Sequence, residues 1–162
     1  PPRSTLFPYT TLFRSSSFPA DIDWWQGEKG LIAASFAVRQ GGVIVLATPC
    51  PEGLEHNHPL LRDWLALTYA EGCARIRTLD PADVSADLIS ADLGVDNAKI
   101  REKATILVVT DGLEDDDIEL LGYEKVPTLQ AGVDRALELI PGGTIGLLPY
   151  GGDCLPLIAP RL

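Results

Sequence analysis

Two hydrophobic patterns alternate along the chain. Continuous apolar runs occur at 43–50 (VIVLATPC), 105–112 (TILVVTDG) and 144–152 (TIGLLPYGG), the kind buried on both faces of a parallel sheet. Between them lie segments with helical spacing. Residues 22–39 predict a helix stopped by Gly41-Gly42, and 59–70 predict a second. The segment ARIRTL, 74–79, predicts a short strand. PADVSADLISADLG, 81–94, predicts a helix with Pro in its first turn and Gly94 as its stop, followed by a further short helix at 95–103. LEDDDIELLG reads as an acidic helix with the aspartates on its solvated face, and YEKVP as a short edge strand. Thr128 caps a helix whose apolar positions Leu129, Val133, Ala136, Leu137 and Ile140 keep helical spacing up to Gly142-Gly143. The alternation predicts an α/β fold, a Rossmann-like three-layer domain with a mostly parallel sheet.

The front of the chain breaks this order. A helix that starts near residue 22 after SSSFPADID looks like the second half of a strand–loop–helix unit, so the first strand is expected to be truncated. The preceding PPRSTLFPYTTLFRSSS has no helical or strand periodicity and no acidic residue. It lacks the apolar stretch of a secretory signal and resembles a translated sequencing-adapter scar. Residues 1–15 are therefore expected to be non-native or disordered, and 16–162 to form one domain.

Composition narrows the function. The chain has 162 residues, 46% of them hydrophobic, enough for one core. A net charge of -10 disfavours nucleic acid or an anionic membrane as partner, because both require a basic face. Cys50, Cys73 and Cys154 are odd in number and widely spaced, which suggests neither a disulfide framework nor a metal knuckle and fits a cytoplasmic protein. No apolar run approaches the roughly 20 residues that span a bilayer.

One residue stands out on the first helix. With Trp25 at zero and about 100° per residue, Phe36 falls at roughly 20°, Ile32 at roughly 340° and Ile22 at roughly 60°. Lys29 falls at roughly 40°, inside that apolar stripe. No acid lies one turn away, and a cation near a helix N-terminus is disfavoured by the dipole. Two readings remain. In one the lysine stem covers apolar surface and the amine reaches water. In the other Lys29, Gln26 and the free N–H groups of the first turn face one cavity and hold an anion. Gln26 also fits a capping box with Asp23.

Other candidate chemistry is weaker. His56 and His58, with Glu52 and Glu55, carry ligand types suited to zinc, but spacing supplies no third ligand. Their loop follows the carboxyl end of a buried strand, where open α/β sheets bind ligands. Cys50, at that strand end, reads most simply as a small buried hydrophobe. PYGGDC, 149–154, offers glycines that could admit a ligand or make a plain turn. Neither a dinucleotide fingerprint nor a P-loop is present.

The stretch FPADIDWWQGEKGLIAASFAVRQGGVIVLATPCPEGL resembles the C-terminal domain of the nickel-pincer-dependent lactate racemase family. The likeness rests on Pro19, Asp21, Trp25-Gln26-Gly27-Glu28-Lys29, Gly41-Gly42, the strand at 43–50 and Glu52-Gly53, and continues in TLQAGVDRALELIPGGTIGLLPYGG. Glu55 departs from it, standing where another glycine is frequent. The resemblance implies a 2-hydroxy acid racemase or epimerase acting by hydride transfer, with Gln26 and Lys29 contacting the substrate and Trp25 beside them. It also implies that the nickel pincer nucleotide is held by an N-terminal domain whose lysine and histidine ligands have no counterpart here; His56 and His58 do not replace them. The expected partners are then a small 2-hydroxy acid and that N-terminal domain, and the chain alone is expected to be inactive. The competing reading is a non-catalytic Rossmann-like domain that binds an anionic metabolite or another protein.

Overall fold

The computed structural model describes residues 9–15, 21–55, 57–149 and 155–156. In chain order the elements are β1 (Tyr9–Ser15), α1 (Trp24–Ala37), β2 (Val38–Ala47), α2 (Leu61–Leu65), α3 (Tyr69–Ile76), a 3₁₀ turn at Val84–Ala86, α4 (Leu88–Lys103), β3 (Ala104–Val109), α5 (Asp115–Leu121), β4 (Glu124–Lys125), α6 (Leu129–Leu139) and β5 (Ile145–Leu148). The strands form one sheet in the order β4-β3-β2-β1-β5, and every pairing is parallel. The α/β Rossmann-like expectation holds.

The expectation of a missing first strand does not. Tyr9–Ser15 fills the slot between β2 and β5, with Leu12 opposite Ile44 on one side and Gly146 on the other. An inner strand of a parallel sheet has both faces covered and needs no period-two pattern, so the lack of alternation in this segment was no argument against it. Its Tyr-Thr-Thr-Leu-Phe composition suits a strand.

Successive residues of β2 and β3 serve opposite faces. Ile44, Leu46, Ile106 and Val108 join a core with Trp24, Leu31 and Ala34 of α1 and Ile100 of α4, while Val43, Val45 and Leu107 pack with Ala136 of α6. Helices on both faces make the three layers.

Several elements differ from expectation. Residues 59–70 are not one helix: Thr68 starts a new one at α3 through a capping box with Glu71, and this helix takes in the segment 74–76 read as strand. Gly94 does not stop a helix, because α4 runs through it. A Cβ at Gly94 would lie 2.5 Å from the Trp64 Cβ and 2.8 Å from the Trp64 carbonyl carbon, so the glycine lets α4 rest directly on α2. Asp117 of α5 is buried, where Arg62 donates to it over 2.6 Å, so only part of the aspartate run is solvated. Gly94→Ala is expected to lower stability by about 1–3 kcal/mol through overpacking, outweighing the roughly 1 kcal/mol that alanine gains as a helix former. Thermal unfolding followed by circular dichroism checks this, and an unchanged midpoint would show that α2 simply moves aside.

Candidate functional site

Parallel strands deliver their following loops to one edge of the sheet. Here the N-terminal end of α1 meets the loop after β2 at that carboxyl edge. Asp23 caps α1, its Oδ1 accepting from the Gln26 N–H at 2.7 Å. The Trp24 and Trp25 N–H groups donate to the Gly53 and Leu54 carbonyls at 3.0 and 3.3 Å, and Gly27 N–H donates to the Asp23 carbonyl. The N–H groups of Trp24, Trp25 and Gln26 in the first turn are therefore occupied by the chain itself. The expectation of free N–H groups holding an anion is corrected on that ground: the loop 53–54 folds against the helix end and takes them.

The face of α1 is also corrected. Trp24, Glu28, Leu31 and Ala34 are buried, whereas Lys29 is exposed and Phe36 is 52% exposed. Of the expected stripe, Trp25 and Ile32 are partly buried at the margin of the core, while Phe36 and Lys29 are exposed. The Lys29 amine donates to Gln26 Oε1 over 2.5 Å. The titratable residue on the buried face is Glu28, fully enclosed, with neither carboxyl oxygen hydrogen-bonded among the described residues. Burial holds this carboxyl well above the usual acid range, and the charges of Asp96 and Asp92 push it the same way.

An open cavity of about 190 Å³ lies beside this helix end, lined by Asp23, Trp25, Gln26, Glu55, Asn57 and His58. The structure thus brings Trp25 and Gln26 into one wall and ties Lys29 to Gln26, with Lys29 itself just outside the lining. The His58 ring stacks on Trp25 with centroids 4.0 Å apart and planes at 18°. Its Nδ1 lies 3.1 Å from Asp87 Oδ1. Burial alone would raise the Asp87 carboxyl, but hydrogen bonds from Ser90 and His58 outweigh it and hold this acid below its usual value. Sequence reasoning treated His58 as a weak metal ligand and passed over Asp87 altogether. They are 29 residues apart, and no spacing rule connects them.

Cys50 behaves as expected of a buried thiol. Burial pushes it up to about 11, and its sulfur sits 3.3 Å from the Thr48 hydroxyl. A thiol shifted in this direction stays protonated at neutral pH. Among the described residues no group of three His, Cys, Asp or Glu side chains could hold a metal. His56 and the residues 150–154 lie outside the described residues. No helix of the described residues is long and apolar enough to cross a membrane.

The family model of the lactate racemase C-terminal domain matches residues 11–145. Among solved structures, the lactate racemase apoprotein from Thermoanaerobacterium thermosaccharolyticum superposes with a TM-score of 0.78 at 18% identity, covering 93% of this chain and 36% of that one. A Thermotoga maritima protein superposes with a TM-score of 0.56 at 10% identity, over 94% of this chain and 37% of that one. At such identities these likenesses speak for the fold, and this chain spans little more than a third of either structure. No curated protein matches. The match over residues 11–145 shows that the chain belongs to the lactate racemase C-terminal domain family.

Proposed function

We propose that this chain is the substrate-contacting domain of a 2-hydroxy acid racemase or epimerase, with Gln26 and Lys29 as the contact residues and Trp25 as the adjoining wall. The supporting observation is the Lys29–Gln26 hydrogen bond at the carboxyl edge of the sheet, beside an open cavity that Gln26 lines. Lys29 satisfies the Gln26 carbonyl oxygen, which leaves the amide N–H groups free to donate to a ligand. The exposed ammonium supplies full charge to a carboxylate, and a charge-assisted hydrogen bond of this type contributes about 1.5–3 kcal/mol. Such a pair holds a carboxylate without the helix N–H groups.

In this reading the hydride chemistry comes from a nickel pincer nucleotide. This reading assigns the group and its ligands to an N-terminal domain of the parent protein. This chain then binds and orients the hydroxy acid but does not racemise it alone. A parent gene without such an upstream domain would count heavily against the assignment.

Lys29→Ala tests the binding role directly. Titration calorimetry with lactate is expected to show affinity falling by about tenfold or more. Thermal stability should be unchanged, because the side chain is exposed and its one hydrogen bond is local. Equal affinity in mutant and parent removes Lys29 from the site.

A further inference from the structure

The cavity beside Gln26 has almost no apolar wall. Of its lining residues, Asp23, Gln26, Glu55, Asn57 and His58 are polar, and Trp25, the exception, has the His58 ring stacked against it. A methyl group entering here would displace water from polar groups and give them nothing in return. A hydroxyl could donate to Asp23 or Glu55 and accept from Asn57 or His58. Two carboxylates in the wall also oppose a second acidic group on the ligand.

His58 is held for such a role from several sides. Asp87 accepts at its Nδ1, and Trp25 fixes the ring plane. Its backbone N–H, like that of Asn57, donates to Glu55 Oε2 at 2.6 Å. Asp87 is itself pinned: it accepts from the Ser90 hydroxyl at 2.6 Å and the Ser90 N–H at 3.3 Å while its backbone takes the left-handed value φ 45. A non-glycine residue keeps that conformation only where its surroundings enforce it. With Nδ1 committed to a carboxylate, the other ring nitrogen is left without a protein partner among the described residues.

We propose that His58 is a specificity residue that reads the side chain of the bound acid, and that the cavity prefers a 2-hydroxy acid hydroxylated at C3 over one ending in a methyl group. This rests on the binding role of Gln26 and Lys29. The pair of probes is glycerate and lactate, which differ in that one hydroxyl. In calorimetric titrations of the whole chain, glycerate is expected to bind about fivefold to tenfold more tightly. His58→Phe keeps a ring against Trp25 and removes both nitrogens, so it should abolish the preference between the two acids. Lys29→Ala should weaken both ligands alike.

A parent chain without preference, or a His58→Phe variant that keeps it, overturns the proposal and leaves the Lys29 role intact. Binding that does not depend on Lys29, or no binding of either acid, overturns the underlying reading and this one with it. Ring ¹⁵N shifts of His58 in the unmodified chain give a measurement independent of whether the variant folds. A response to glycerate that lactate does not produce is expected, and identical responses would refute the assignment.

Discussion

Glu28→Gln is expected to stabilise the domain at neutral pH, and the gain should grow as pH rises. Glu28 sits between Gln26-Gly27 and Lys29 on the helix that carries the candidate site, fully buried and with both oxygens unpartnered. Asp92 and Asp96 of α4 and the buried Tyr123 hydroxyl add unfavourable or neutral surroundings; Tyr123 gives its own hydrogen bond to Asn97 Oδ1 at 2.6 Å. Burial therefore keeps this acid protonated in the folded state well above the usual carboxyl range. The unfolded chain releases that proton near the ordinary value of about 4.3. Folding then takes up a proton at every pH between the two. The contribution of Glu28 is most favourable below the unfolded value and declines as pH rises toward the raised folded one, by up to about 1.4 kcal/mol per pH unit. Glutamine keeps the shape and cannot ionise, so its profile lacks this slope. Denaturant unfolding of parent and variant at several pH values between 5 and 8 isolates the effect, since other titrating groups cancel in the difference. Parallel profiles would mean that Glu28 is solvated or paired after all. Glu28→Leu should stabilise as well, by removing the unpaired oxygens.

This residue also shows where the sequence was readable and where it was not. The 43–47 part of β2 and the 106–109 part of β3 stood out because a strand segment buried on both faces is apolar without interruption, and α6 because Thr128 and Gly142 mark its ends. The facing of α1 was misread for a physical reason. Trp24 and Trp25 are adjacent, so centring the apolar stripe on the second rotates the helix by about 100°. The buried side is built largely from small residues, Gly27, Gly30, Ala33, Ala34 and Ala37, which carry little hydrophobic signal and instead let the helix approach the sheet. A Cβ at Gly27 would lie 2.6 Å from the Thr48 hydroxyl oxygen. Close approach is a property of two segments at once, and a helical wheel contains only one. The same limit hid the continuity of α4 through Gly94, and the pairing of His58 with Asp87. The Gln26–Lys29 spacing was legible because both residues belong to one helix turn.

Gly112→Ala is expected to be strongly damaging, with the tightest Cβ clash among the described glycines. Its Cβ would lie 1.7 Å from the Cys50 carbonyl oxygen, 2.4 Å from the Cys50 carbonyl carbon and 2.8 Å from the Pro49 carbonyl oxygen. These are backbone atoms, so no change of rotamer relieves the clash. The same loop contact carries two hydrogen bonds to the Pro49 carbonyl, from Gly112 N–H at 2.9 Å and the Thr110 hydroxyl at 3.1 Å. Cys50, forced into the left-handed region at φ 48, is anchored to the Asp21 carbonyl and in turn accepts from Gly53 N–H. Gly53 and Leu54 then supply the carbonyls that occupy the first N–H groups of α1. Displacing Cys50 therefore disturbs the support of Gln26 and Lys29 as well as the fold. A loss of about 3 kcal/mol or more is expected, which for a domain of this size lowers the melting temperature by roughly 10 °C. Gly53→Ala is the control. Its Cβ would meet only the Gly112 carbonyl, at 3.9 Å, so its penalty is limited to the backbone strain of φ +79, about 1–2 kcal/mol. Thermal unfolding that ranked Gly53→Ala as equally or more harmful would show that the 49–50 and 112 segments separate easily, and that the loop is not what fixes the start of α1.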